Sequence, residues 1–153
     1  EMCIRDRMWM DVPYEPGEVK VVAYDASGKP AEEKVIRTAG KPHHLELVAD
    51  RTRLSADGKD LAYITVRVVD KDGNLCPADS RMVNFSVKGA GKYRAAANGD
   101  ATSLDLFHLP KMPAFSGQLT AIVQSGEQAG EIVFEARAKG LKSGKLVLYT
   151  SEK

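Results

Sequence analysis

The sequence is poor in cysteine. Two occur in 153 residues, Cys3 and Cys76, far apart and without CxxC spacing. Neither a disulfide framework nor a zinc site is indicated, and the redox compartment stays open. An excess of charge is also missing: 22 Lys and Arg stand against 21 Asp and Glu, for a net charge of +1. The two signs are interspersed, which excludes the basic footprint of a nucleic-acid partner. The longest apolar runs are a few residues, against the roughly 20 needed to cross a bilayer, and no charged segment followed by an apolar one opens the chain. No membrane span and no export address is legible in it. The length is also too small for a catalytic barrel of about 250 residues. What remains is a chain with 43% hydrophobic and 28% charged residues, the balance of a folded domain with a packed core.

The order of strand and turn signals specifies an all-β fold. Glu18 to Asp25 is β-branched and aromatic, Ala26-Ser27-Gly28-Lys29 supplies turn residues, and Lys34 to Thr38 is extended again, which together predict a hairpin. Val12-Pro13-Tyr14-Glu15-Pro16-Gly17 favours an extended lead-in. Beyond the linker-like Gly40-Lys41-Pro42, strands are expected at 44–49, 61–70, 82–88, 92–97, 118–124, 131–138 and 145–150. Their alternation assigns inward faces: Ala62, Ile64, Val66 and Val68; Val83, Phe85 and Val87; Leu119, Ala121 and Val123; Ile132, Phe134, Ala136 and Ala138. Such short strands, with Gly, Pro, Asn and Asp between them and no sustained period of 3.6 from Leu45 onward, predict an immunoglobulin-like antiparallel β-sandwich. The run Val19 to Ala31 resembles Val66 to Ala78, which suggests two sandwich domains using the same turn chemistry. The expected organisation is residues 8–39 as the C-terminal remnant of an upstream immunoglobulin-like domain, 40–43 as linker and 44–151 as the second sandwich. A lone hairpin is marginal, so Val19, Val21, Ala23, Val35 and Ile36 are expected to lack the sheet that should cover them.

Groups that could carry chemistry are few, and most have a structural explanation. His43 and His44 are adjacent and on a strand would point to opposite faces, so they are not expected to share a metal; His108 stands alone. Asp70-Lys71-Asp72-Gly73-Asn74 superficially resembles a calcium loop, but Leu75 and Arg81 occupy the sixth and twelfth positions, where glycine and glutamate are needed, so a hairpin turn is the better reading. Ser116 and Ser125 lack the glycine of a nucleophile elbow. Gly89-Ala90-Gly91 precedes no helix and is no phosphate cradle. Glu131 and Glu135 fall on a solvent face, and Asp57 and Asp60 flank a turn. No catalytic, metal or cofactor-binding residue is therefore assigned.

The remaining candidate is the long connection from Asn98 to Phe115. Loops of this length usually bind something or cover a core. As a contact for a sugar or another protein domain it would use Asn98, Asp100, Phe107, His108 and Leu109. As a cap it would bury Leu104, Leu106, Phe107 and Leu109 on one end of the sandwich, the reading that so many apolar residues favour. A carbohydrate-binding role would instead need exposed rings in a stripe, and Trp9, Tyr63, Tyr93, Phe107 and Phe115 form none in sequence.

Several stretches together carry a family resemblance. Val12 to Gly17, Val19 to Asp25 and Arg37 to Pro42 are similar to the end of the penultimate domain and the linker of β-galactosidase-like enzymes of glycoside hydrolase family 2. Ala49 to Leu61, Val68 to Asn74, Asn98 to Leu104, Ala114 to Gln124 and Gly140 to Ser143 resemble the C-terminal domain of that family. The resemblance implies a non-catalytic accessory domain, with the catalytic and other β-sandwich domains of the parent hydrolase as partners. The family's catalytic glutamates lie on a barrel that has no counterpart here, so none is carried over. It further implies a retaining, periplasmic or secreted bacterial parent acting on a β-galactoside or related sugar; the other roles to weigh are a carbohydrate-binding module and a bacterial immunoglobulin-like spacer. Residues 1–7, Glu1-Met2-Cys3-Ile4-Arg5-Asp6-Arg7, resemble a translated sequencing-library transposon end. They are expected to be an artefact at the broken start of a C-terminal fragment.

Overall fold

The structure, a computed structural model, describes residues 10–152; the reading of residues 1–7 as an artefact, and Trp9, lie outside them. The chain forms two compact units that divide between Thr38 and Ala39, and each is taken by itself.

In the first unit, β1 (Glu18–Tyr24) and β2 (Pro30–Arg37) pair antiparallel. β2 starts four residues earlier than the alternation of the sequence indicated, because the turn closes tightly. The Asp25 carboxylate accepts the amides of Ser27 (2.8 Å) and Lys29 (2.9 Å), and Asp25 N–H donates to the Lys29 carbonyl. Pairing therefore resumes at Pro30, where a strand's first residue can do without an N–H. The register puts Val19 opposite Ile36 and Val21 opposite Lys34 on one face. The other face carries the ion pairs Lys20–Glu33 and Arg37–Glu18. Val35, paired with Lys20, sits on that charged face, so the uncovered apolar face consists of Val19, Val21, Ala23 and Ile36 without Val35. Val19 is 58% and Ile36 66% exposed.

The second unit is a two-sheet sandwich. A four-stranded sheet runs β3 (His44–Ala49), β5 (Leu61–Val69), β9 (Gln118–Ser125), β7 (Gly91–Ala97). A five-stranded sheet runs β4 (Arg53–Ser55), β11 (Gly144–Ser151), β10 (Gly130–Ala138), β6 (Met82–Gly89), β8 (Lys111–Pro113). Without the short β4 and β8, this is the ABED/CFG division of a constant-type immunoglobulin sandwich. All the strands expected from alternation are present. The two that alternation missed, β4 and β8, are three residues each, too short for a period-2 signal. β4 is the single parallel partner in the sheets, alongside β11. It arises because the chain leaves the first sheet after β3 and crosses to the second. These short strands close both edges of the larger sheet, an arrangement that limits edge-to-edge pairing.

The core lies between the two inner faces. Ile64, Val66, Val68, Phe85, Leu119, Ala121, Ile132 and Phe134 are all buried, as their alternation requires. Phe85 stacks on Phe134 within the larger sheet and on Tyr93 of the facing sheet, with ring centroids 5.8 Å apart in each case. Among the described residues no buried side-chain nitrogen or oxygen lacks a hydrogen-bond partner.

The turn 70–74 does not lead directly into a paired neighbour, as a simple hairpin would. It returns only as far as the bridge Val69↔Leu75 before the chain crosses to β6 in the other sheet. Its buried Asp70 instead acts as a four-way acceptor: from Asp72 N–H and Asn74 N–H (both 2.9 Å), Asn74 Nδ2 (3.0 Å) and the amide of Gly40 (2.8 Å). The Asp25 turn has the same backbone pattern, and Gly28 matches Gly73 with positive φ in both. The structural equivalence is thus Asp25 with Asp70, two residues away from the alignment the sequence suggested. A shift of two preserves the face, so Val19 and Val21 correspond to Ile64 and Val66, which are buried in the sandwich.

The Gly40 and Asn74 hydrogen bonds, led by that from Gly40, hold the Asp70 carboxyl well below its ordinary range. A depressed carboxyl contributes stability above the unfolded pKa of about 3.9 and loses it as pH falls through the folded value. Asp70→Asn is therefore expected to lower the urea midpoint at pH 7, with the gap to the parent chain narrowing as pH drops below about 4. A gap that does not change with pH would show that the charge contributes nothing.

Candidate docking loop

The connection after β7 is built upward from two fixed feet. Asn98 Nδ2 donates across its base to the Pro113 carbonyl (3.1 Å), and Asn98 Oδ1 accepts Asp100 N–H (3.1 Å). Its returning limb is not irregular throughout, since β8 pairs with β6. Phe85 N–H donates to the Pro110 carbonyl and Ala96 N–H to the Phe107 carbonyl, both at 2.8 Å. Between these feet, Asp100 accepts the amide (2.9 Å) and hydroxyl (2.7 Å) of Thr102, which hold its carboxyl below the usual range. Asp100 is thereby committed to shaping the turn.

Tyr93 is the anchor that sequence reasoning missed in this role. Its hydroxyl donates to the Leu109 carbonyl at 2.7 Å and lies 3.1 Å from that of Phe107. Burial pushes the phenol up to about 12. With its ring stacked on Phe85, Tyr93 is not a free surface for a sugar. The available signal was its place on β7 beside the loop, which alternation alone does not connect to carbonyls 14 and 16 residues away.

Backbone anchoring leaves the side chains of the tip outward. Leu104 is 95%, Leu106 57% and Phe107 59% exposed, so these residues do not cap the sandwich; the core is already closed by Ala96, Met112 and Ala114. Leu109 is half-buried, and His108 is exposed. The loop thus brings Asn98 and Asp100 together at one foot and fixes Phe107 and Leu109 through Tyr93. Among the described residues His108 has no hydrogen bond to the others. The geometry suits an apolar contact on a rigid stem and supplies no arranged acid, base or nucleophile.

The other candidates resolve into structure. His43 and His44 do touch, with Nδ1 atoms 3.1 Å apart: β3 begins at His44, so strand alternation does not apply to His43. Among the described residues no cluster of three or more His, Cys, Asp or Glu could hold a metal ion. Ser116 and Gly117 both have positive φ, and Phe115 and Gln118 exchange both backbone hydrogen bonds around them, the two-residue turn that a tight hairpin favours. Asp57 accepts the amides of Lys59 and Asp60, and Asp60 accepts that of Ser55. Glu135 is bound by Arg137 Nε and Nη2, both at 2.9 Å. A cavity of about 460 Å³ at the turns 58, 89–92 and 125–128 is lined by Gly58, Gly89, Gly91 and Gly126 together with non-glycine turn residues. Those glycines serve packing: a Cβ on Gly89, Gly91 or Gly126 would meet backbone oxygen within 2.9 Å.

By class the second unit is a constant-type immunoglobulin sandwich. Its particular family follows from sequence: residues 45–147 match glycoside hydrolase family 2 C-terminal domain 5, and the chain belongs to that family. Residues 5–32 match a domain of unknown function. A β-galactosidase of Bacteroides ovatus is 42% identical over 141 residues, covering 92% of this chain and 16% of that protein. A solved glycosyl hydrolase family 2 member from Bacteroides cellulosilyticus superposes with a TM-score of 0.84 at 30% identity, over 92% of this chain and 18% of that one. A β-glycosidase from Bacteroides vulgatus gives 0.85 at 25% identity, over 90% and 18%. The chain therefore spans less than a fifth of the length of these relatives.

Proposed function

We propose that this chain is the non-catalytic C-terminal accessory region of a family 2 glycoside hydrolase, seated against another domain of its parent through the loop Asn98–Phe115. The observation that carries the reading is the loop itself, with Leu104, Leu106 and Phe107 held outward on a stem tied by Tyr93 and Asn98. Exposed apolar side chains on an anchored backbone mark a contact surface, and Asn98, Asp100 and Leu109 serve to position it. The hairpin is read as two strands of an upstream sandwich, because its Val19 and Val21 correspond to Ile64 and Val66, which are buried in the sandwich that follows. In this reading the parent is a retaining β-galactosidase or an enzyme of a kindred β-linked sugar, which the Bacteroides ovatus relative supports, and partner domains rather than free carbohydrate are the expected contacts. Nothing in the residues of this chain assigns the sugar.

Retaining hydrolysis needs two carboxyl groups about 5–5.5 Å apart flanking an open site, whereas Asp57, Asp60, Asp70, Asp79, Asp100 and Glu135 are committed to turns or to arginines. The purified chain is expected to release no aryl group from β-galactoside, β-glucuronide or β-mannoside substrates. Turnover that survives repurification and is lost on Glu131→Gln or Glu135→Gln would refute the accessory role. Leu104→Ser with Phe107→Ser is expected to shift stability by no more than about 0.5 kcal/mol, since surface substitutions rarely do more. A much larger loss would return the loop to a capping role.

A further inference from the structure

The two outer sheet faces differ in how their charge is spent. On the four-stranded sheet, Arg67 is paired with Glu46 at 2.7 Å, the central rows are Tyr63 with Ile122, Thr65 with Thr120 and Arg67 with Gln118, and Lys92 stands opposite Gln124 with no ion-pair partner among the described residues. On the five-stranded sheet the central strand β10 presents Glu131, Val133, Glu135 and Arg137 outward, with Glu131 opposite Tyr149. Lys88 lies opposite Val133 on one side, and on the other Val147 lies opposite Val133 and Lys145 opposite Glu135. Glu135 is taken by Arg137. Among the described residues Lys88 and Lys145 have no ion-pair partner, and Lys111 and Arg53 on the edge strands extend the same sign outward. Between the two lysines lies a shallow depression of about 320 Å³ lined by Ser86, Lys88, Val133, Glu135 and Lys145. The face carries Arg53, Lys88, Lys111, Arg137 and Lys145 against Glu131 and Glu135, a positive excess on a chain whose net charge is only +1.

We propose that this outer face, with Val133 and Val147 at its centre and Lys88 and Lys145 as its rim, docks the acidic face of a second polypeptide. An apolar centre inside a charged rim is the anatomy of a protein interface. Free lysines steer an oppositely charged partner and fix its register more than they add affinity. A sugar polymer is the poorer occupant: Tyr149, 48% exposed at the margin, is the one ring on this face among the described residues, and a single ring makes no stacking platform. The proposal does not use the exposed tip of the loop Asn98–Phe115; only Lys111, on its returning strand, borders the face.

The test is an amide-shift titration of the full chain with an oligoglutamate peptide, and in parallel with an oligogalacturonate of equal charge. The peptide is expected to move the signals of residues 84–88, 131–137 and 145–149. Its affinity should fall by about tenfold or more between about 0.05 and 0.5 M salt. Lys88→Glu with Lys145→Glu should abolish binding, and the milder Lys88→Gln with Lys145→Gln, which adds no like charge beside Glu135, should weaken it about tenfold while leaving the remaining spectrum in place. Shifts scattered over unrelated lysines, or binding unchanged in both double variants, would overturn the site. Equal or tighter binding of the oligogalacturonate would overturn the polypeptide as its occupant.

Discussion

Phe134→Ala should lower the stability of the sandwich by about 3–5 kcal/mol, the range for truncating a fully buried aromatic. Phe134 has no exposed surface. It lies on β10, which has β11 on one side and β6 on the other, so the surrounding backbone is held by two ladders and cannot collapse into the void. Its ring also stacks on Phe85, which in turn stacks on Tyr93 of the facing sheet. Removing it takes away the ring that backs Phe85, whose stack on Tyr93 joins the two layers. Domains of this size are stable by only about 5–15 kcal/mol, so the variant would forfeit a large fraction and its urea midpoint would move accordingly. The neighbouring Val133→Ala on the outer face is the control, expected to cost well under half as much. If the two variants lose the same amount, the core is not organised around this ring stack.

The strands were legible because burial on one face forces alternation, and alternation is visible in a single sequence. Val66, Phe85, Leu119 and Phe134 are each placed inward by alternation alone. The pairing of those strands was less so. Nothing in the residues after Asn74 states that the chain changes sheets, and β4 and β8 owe their existence to edges that only the assembled sandwich creates. Register between distant repeats was also beyond pattern matching: the Asp25 and Asp70 turns align by their hydrogen bonds, whereas the best letter match lies two residues away.

The candidate loop shows the limit more sharply. Composition argued that Leu104, Leu106 and Phe107 would be buried, since apolar residues usually are. That inference fails where backbone carbonyls are fixed first. Tyr93 and the amides of Phe85 and Ala96 hold the main chain of 107–110 against the sandwich, and the space under the loop is already filled by Met112 and Ala114. Side chains at the tip then have nowhere to go but outward. The same logic governs His43 and His44, where the strand begins one residue later than a rule about alternating faces assumes.

Gly89→Ala should be, with Gly117→Ala, among the most damaging glycine substitutions, costing about 2–4 kcal/mol, because two penalties coincide at each position. Gly89 ends β6 at the corner where the chain passes to β7 in the facing sheet. Its φ is +92°, a conformation that side chains with a Cβ rarely adopt, and a Cβ built there would lie 2.1 Å from the carbonyl oxygen of Glu131. That oxygen accepts the amide of Ala90 at 2.8 Å. Relief of the clash must therefore pull the corner away from β10 and expose a backbone pair that has no alternative partner. Gly73→Ala separates the two contributions: its φ of +85° is nearly the same, but nothing lies within 4 Å of the added Cβ, so only the conformational cost of about 1 kcal/mol should appear. Urea midpoints of both variants, followed by circular dichroism, decide the matter. If Gly89→Ala is no worse than Gly73→Ala, the corner yields without losing the Ala90 hydrogen bond, and close packing against Glu131 is not what requires glycine at this position.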